Sequence, residues 1–331
     1  MRLPNVRTAA PAVIFCALVF AGAPARADIL DLNLANLVTK PANGGFADPT
    51  TDIPAQLAYR QLLSELGTAL SPRVLTTADT VGYSGFQFTF DASFTSISNR
   101  TCVGGETKDK CPWVSGTSGR DSAGNAQSLP GYVTTLSIMA RKGIWLPLPS
   151  FEIGAGATKL LQSDIYAVQV YAKFALHEGF HDWPIPSLAV RGSATRLMGA
   201  SQIDLTMAQI DAEVSKSFGL FGTVTLVPYL GAAWLIMIAR GQVLDTTPDV
   251  DAFKQGPNSL DLNANAVFPD QANIQRWRFF GGFRLNYSIL VLTFDYLITM
   301  HGDFGQTKSD LTLVDNSPIQ HSFNISAGFL F

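Results

Sequence analysis

The strongest constraint on the fold is a period-two alternation of apolar and polar residues, clearest at the carboxyl end. Ile319, Phe323, Ile325, Ala327, Phe329 and Phe331 share one parity, and Gln320, Ser322, Asn324, Ser326 and Gly328 share the other. Successive side chains of a strand point to opposite faces, so this segment has one apolar and one polar face. Trp277, Phe279, Phe283, Leu285 and Tyr287 alternate in the same way with Arg276, Arg278, Gly282, Arg284 and Asn286. Phe86, Phe88 and Phe90 alternate with Gln87, Thr89 and Asp91. Stretches of this kind run over about 80–97, 130–142, 148–160, 164–177, 186–198, 202–217, 223–240, 273–287, 289–301 and 317–331. Most match or exceed the ~9–11 residues that cross a bilayer as a tilted strand. The expected fold class is all-β, a transmembrane up-and-down antiparallel β-barrel. It has about ten strands, with twelve as the alternative, and its apolar face meets lipid.

Three features organise the chain around that barrel. Arg2 and Arg7, the apolar run 9–23 and the small-x-small site Ala25-Arg26-Ala27 read as a signal peptide over 1–27, cleaved near Ala27. Residues 28–79 form a separate segment. Within it Leu57, Leu62, Leu63, Leu66 and Leu70 have helical spacing over 55–70, with Asp52 as N-cap before Pro54. This helix is either a periplasmic element packed beneath the barrel or a plug in its lumen. The barrel then occupies 80–331. The stretch 223–239 is apolar enough to suggest a spanning helix, but Pro228 and Gly231 favour a strand. Strand 202–217 changes parity between Met207 and Ile210, which predicts a bulge. The connections 98–129, 241–272 and 302–316 are the longest and all fall on one side, as outer loops should.

Charged residues are 15% of the chain, below the usual ~25%, and Phe occurs 22 times, which suits a lipid-facing surface. No basic run exists, which excludes nucleic acid as a partner. Cys102 and Cys111 flank a polar stretch and, in an exported chain, are expected to pair. No cofactor or metal site is implied.

Charge on lipid-facing positions is costly, so the strands should turn it inward. The expected lumen carries Arg141, Lys173, Arg191, Arg276, Arg278 and Arg284 against Asp91, Glu152, Asp211, Glu213 and Asp295. Two uses are open: a basic stripe along a narrow solute pathway, or a paired network that fills the barrel. His177-Glu178-Gly179-Phe180-His181 fits the zinc-protease pattern H-E-x-x-H. That chemistry needs both His on one helical face, whereas here they end a strand.

The carboxyl-terminal strand, with Phe323, Ile325, Phe329 and the final Phe331, resembles that of bacterial outer-membrane β-barrel proteins. The resemblance implies a Gram-negative outer-membrane location. It also implies periplasmic chaperones, the barrel-assembly machinery and outer-membrane lipid as partners. No subfamily is indicated. An omptin-like protease shares the ten-strand architecture, but His177 and His181 fall on the wrong side for it, and only His301 lies near an outer loop, beside Asp303. The chain is therefore read as a non-enzyme. The expected function is a narrow channel or transporter for small or hydrophobic solutes, as in fatty-acid transporters with an amino-terminal helix. The alternative is a closed structural or surface-interaction barrel acting through its long outer loops.

Overall fold

The computed structural model describes residues 28–38, 52–98, 111–118, 129–145, 150–179, 185–220, 222–245, 265–304 and 313–331. Among these, ten long strands close into a ring. They are β1 (Phe86–Ser96), β2 (Tyr132–Ile144), β3 (Phe151–Leu160), β4 (Tyr166–His177), β5 (Ser187–Met198), β6 (Ile203–Ser215), β8 (Val224–Gly241), β11 (Gln271–Tyr287), β12 (Leu290–Thr299) and β13 (Gln320–Leu330). Every wall pairing is antiparallel, and β1 pairs with β13 to close the seam. The short β7 (Phe218–Leu220) pairs with β8, and β9 (Val243–Asp245) pairs with β10 (Asn265–Val267) in a small separate hairpin. The ten-strand expectation holds, and twelve is set aside.

The end that holds Phe331 is called the base, and the opposite end the mouth. The strand ends Ser96 and Tyr132, Gly241 and Gln271, and Thr299 and Gln320, between which the long connections run, all lie at the mouth. The outer wall is apolar. Phe90, Phe94, Val170, Ile210, Leu230, Trp277, Phe279, Phe283, Leu292, Phe323 and Phe329 are all exposed there. At the seam Phe323, Ile325 and Phe329 lie opposite Phe94, Ala92 and Phe88. A closed antiparallel ring with an apolar exterior leaves no strand edge unpaired, which is what a bilayer demands. This is the architecture of a transmembrane β-barrel.

One expectation about the wall needs correction. β6 has no bulge: its pairings with β5 and β8 run without a shift, and Ile203, Leu205, Met207, Gln209, Asp211 and Glu213 all face inward. The parity change came from an inward face that is apolar near the mouth and charged below. Bulges occur instead between Gln271 and Ile274 on β11 and between Ala175 and His177 on β4. β8 is apolar on both faces near the mouth, with Ile236 and Ile238 outward and Leu235, Met237 and Ala239 inward. That is why its sequence resembles a spanning helix.

The helix α1 (Ile53–Leu70) stands inside the ring at the mouth, so the placement beneath the barrel at the Phe331 end is not what is found. Asp52 caps it, its side chain accepting from the Ala55 N–H at 3.2 Å, and Pro54 follows in the first turn. A second, short helix α2 (Pro112–Gly116) packs on it. β1 begins at Phe86, later than expected. Residues 71–85 are not wall but an inner strap that descends from α1 to the base.

Candidate functional site: the filled lumen

The lumen has two storeys, and backbone hydrogen bonding explains the division. A helix satisfies its own main chain, so α1 can stand in apolar surroundings. Its Leu62, Leu63, Leu66 and Leu70 are buried with Leu205, Met207, Leu235, Met237, Ala239 and Ile274 of the wall. Tyr59 stacks on Phe268, with ring centroids 4.5 Å apart. The few polar side chains of α1 are held individually. Glu65 accepts from the Ser98 N–H (2.8 Å), the Ser98 hydroxyl (2.6 Å) and the Trp113 indole (2.8 Å). Ser64 donates to Asp315 at 2.6 Å, and Arg60 donates to Gln271 at 2.6 Å and to the Asn273 carbonyl at 3.1 Å. Gly67 sits where a Cβ would come within 2.3 Å of Met237 Sδ, so helix and wall touch closely there.

The strap below has no such self-sufficiency. An extended chain buried away from water exposes every N–H and C=O, and each unmet group is costly. The charged wall residues meet them. Lys173 donates to Thr76 Oγ1 (3.1 Å) and to the carbonyls of Thr77 and Asp79 (2.9 Å each). Arg141 donates to the Leu75 carbonyl at 3.3 Å, and Arg278 to the Pro72 carbonyl at 3.3 Å. Glu152 accepts from the Val81 N–H at 2.9 Å, Ser215 from the Ala78 N–H at 3.1 Å, and Gln169 from the Arg73 N–H at 3.2 Å. At the base Glu178 accepts from the Thr80 N–H (2.7 Å), the Thr80 hydroxyl (2.5 Å) and Ser150 (2.6 Å).

All eleven charged residues expected in the lumen are buried and lie on the inner face: Asp91, Arg141, Glu152, Lys173, Arg191, Asp211, Glu213, Arg276, Arg278, Arg284 and Asp295. Glu152, Lys173, Arg191 and Asp211 are successive register partners across β3–β6, forming one row around the wall. Lys173 Nζ lies 3.4 Å from Glu152 and 4.0 Å from Glu213, and Arg191 pairs with Asp211 at 3.1 Å. Asp295 takes Tyr229 at 3.3 Å and Asn324. The Arg stripe of β11 is neither a bare pathway nor paired with Asp211, Glu213 and Asp295 by salt bridges. Arg276 donates to Ser64 of α1 at 2.8 Å and to the Met300 and Pro318 carbonyls at 2.8 and 2.9 Å. Arg284 binds Thr77 of the strap at 3.3 Å and also Gln87. The stripe thus holds the amino-terminal chain.

At the mouth, residues 28–38 lie across the strand connections. The Leu30 N–H donates to the Gln162 carbonyl at 3.0 Å, the Leu34 N–H donates to Gln202 at 2.7 Å, and Asp31 accepts from the Asp164 N–H at 2.7 Å. Leu32 bridges to Thr117. A cavity of about 510 Å³ opens here between Ile29, Leu30, Leu129, Tyr132 and Leu161.

Cys111 is buried at the start of α2, and its expected partner Cys102 lies outside the described residues. So does His181 of the H-E-x-x-H sequence, whose Glu178 is committed to the strap. Sequence reasoning did not single out Arg60, Glu65 or Arg73, and it met Glu178 only as part of the H-E-x-x-H pattern.

No protein-family model matches the chain. No curated protein matches it either. Among solved structures it is similar to Ail, the attachment invasion locus protein of Yersinia pestis, at 10% identity and a TM-score of 0.26, covering 75% of this chain and 99% of that one. It is similar to the translocator domain of the autotransporter NalP from Neisseria meningitidis at 10% identity and a TM-score of 0.33, covering 86% of this chain and 98% of that one. It is similar to LpxR from Salmonella typhimurium at 8% identity and a TM-score of 0.33, covering 75% of this chain and all of that one (100%). Likenesses this distant carry no argument about what the chain does.

Proposed function

We propose that the protein is an outer-membrane barrel closed by its own amino-terminal chain, which acts at the cell surface through the mouth. In this reading the base with Phe331 faces the periplasm, and the long connections face outward. Short inner turns and longer outer loops are the usual arrangement. One observation supports a closed barrel above the rest: the charged inner wall is bonded to residues 72–81, and α1 fills the apolar half above them. A ten-strand ring is only a little wider than the eight-strand rings that side chains alone fill. With a helix and a strap inside, no stripe of charge is left facing a water-filled passage. The surface available for interaction is then residues 28–38, the mouth connections and the cavity beside Tyr132.

Conductance tests this reading. Purified full-length protein in planar bilayers should carry no steady ion current, and protein lacking residues 28–79 should conduct. A steady current through the full-length protein would overturn the closed-barrel reading in favour of solute passage.

A further inference from the structure

The amino-terminal chain passes through the barrel from one end to the other. Phe86 opens β1 at the base, where its N–H and carbonyl bond to Phe331 at 3.0 and 2.8 Å. Val81 and Thr80 are held at the same end by Glu152 and Glu178. Arg73 is held higher, by Gln169 and Thr135. Arg60 reaches the mouth end of β11 at Gln271. Asp28 to Val38 then lie outside the ring, across the connections that join β1 to β2, β3 to β4 and β5 to β6. Asp28 and Tyr83 are both exposed, at opposite ends of the barrel.

The wall leaves no sideways entrance, because every long strand is paired on both sides. An α-helix with its side chains is ~10–12 Å across. α1 therefore fills its storey as a single pass, with its flanks already in contact with β8 and β11. The segment reaches its position in one of two ways: it threads the finished ring end-first, or the ring closes around it. The β1–β13 seam joins the two ends of the barrel sequence, so until it forms the sheet is open along that line. The strap's unpaired main chain can meanwhile lie against the charged inner face.

From this geometry we infer that the barrel is a conduit for its own amino terminus. It exports residues 28–38 to the outer surface as it assembles, and an extended polypeptide joined ahead of Asp28 is carried with them. The inference rests on the orientation given under Proposed function and does not depend on whether the finished barrel conducts. The load it accepts is unfolded polypeptide, because the lumen has room for one chain.

Single cysteines test this in a background with Cys102→Ser and Cys111→Ser, using a membrane-impermeant maleimide on intact and permeabilised cells. Ser201→Cys, in the exposed turn between β5 and β6, reports orientation alone. Asp28→Cys and Tyr83→Cys report the two ends of the threaded segment. Ser201→Cys and Asp28→Cys should label on intact cells, and Tyr83→Cys only after permeabilisation. Labelled Ser201→Cys with Asp28→Cys silent until permeabilisation would leave the orientation standing and overturn the conduit. Silent Ser201→Cys with labelled Tyr83→Cys would overturn the orientation, and the conduit with it. In a second arm, a flexible Gly/Ser-rich epitope is placed between Ala27 and Asp28, and the barrel is confirmed as folded by its heat-modifiable gel mobility. An antibody should find the epitope on intact cells. An epitope reachable only after permeabilisation would show that nothing beyond the native segment is carried.

Discussion

Replacing Lys173 with methionine keeps the length of the side chain and removes its charge. The ammonium makes three hydrogen bonds to the strap, at 3.1, 2.9 and 2.9 Å, and stands 3.4 and 4.0 Å from Glu152 and Glu213. Glu152 would keep Tyr171 (2.6 Å) and the Val81 N–H (2.9 Å), whereas the Thr77 and Asp79 carbonyls would each lose the bond that Lys173 supplies. Breaking a buried ion pair by removing one partner costs about 3–5 kcal/mol. Each ~1.4 kcal/mol is a factor of ten. The released strap should therefore become populated roughly a hundred- to several-thousand-fold more often. Hydrogen exchange reads this directly, because the Ala78, Thr80 and Val81 amides are bonded to Ser215, Glu178 and Glu152. Their exchange should accelerate by about that factor, with strand amides of β12 and β13 unchanged. Unchanged exchange at residues 78–81 in a variant that is still folded would refute the strap-holding role. Loss of heat-resistant gel mobility would show that Lys173 supports the wall itself.

Deleting Phe331 should strand the protein in the periplasm or lead to its degradation, and normal outer-membrane yield would count against the terminal strand as an assembly signal. Gly67→Leu forces a side chain into Met237 and should weaken α1 docking by about 1–3 kcal/mol, the usual cost of overpacking. Its readout is protease sensitivity of residues 53–70 in an otherwise intact barrel, and full resistance would refute the close approach. Non-reducing mass spectrometry of protein from the native envelope should find Cys102 joined to Cys111, and two alkylatable thiols would exclude the bond. Reduction should leave the strand ladder folded.

The wall was readable because its outer face has one solvent, lipid, along its whole height. Ten strands, their parity and the side of the long connections follow from that. The inner face has two different neighbours, and the alternation rule treats it as uniformly polar. This is the origin of the bulge wrongly expected in β6: Ile203, Leu205 and Met207 face inward because α1 is there. A clue was available. On β3 to β8 the inward charges cluster toward the base, at Glu152, Lys173, Asp211 and Glu213, while the inward positions of β6 and β8 nearer the mouth are apolar, at Leu205, Met207, Leu235 and Met237. That gradient implies different occupants above and below. The strap itself had no periodic signal, because its partners are side chains of distant strands and not a neighbouring strand. Arg73 escaped notice for the same reason, since it lies on the strap, and the strap-holding role of Glu178, in a turn, was equally hidden.

The strap is held chiefly through its main chain. Wall side chains bond the carbonyls of residues 72, 75, 77 and 79 and the N–H groups of residues 73, 78, 80 and 81. Carbonyls and amides are the same in nearly every amino acid, so the grip is almost blind to the strap's sequence. Selection should therefore act unevenly. The charged positions of the wall would stay fixed in diverging lineages, while Leu75, Ala78 and Val81 drift freely among residues of similar size, proline excepted at 78 and 81 where an N–H is required. In a saturation library the same asymmetry would appear as a tolerant strap inside an intolerant ring.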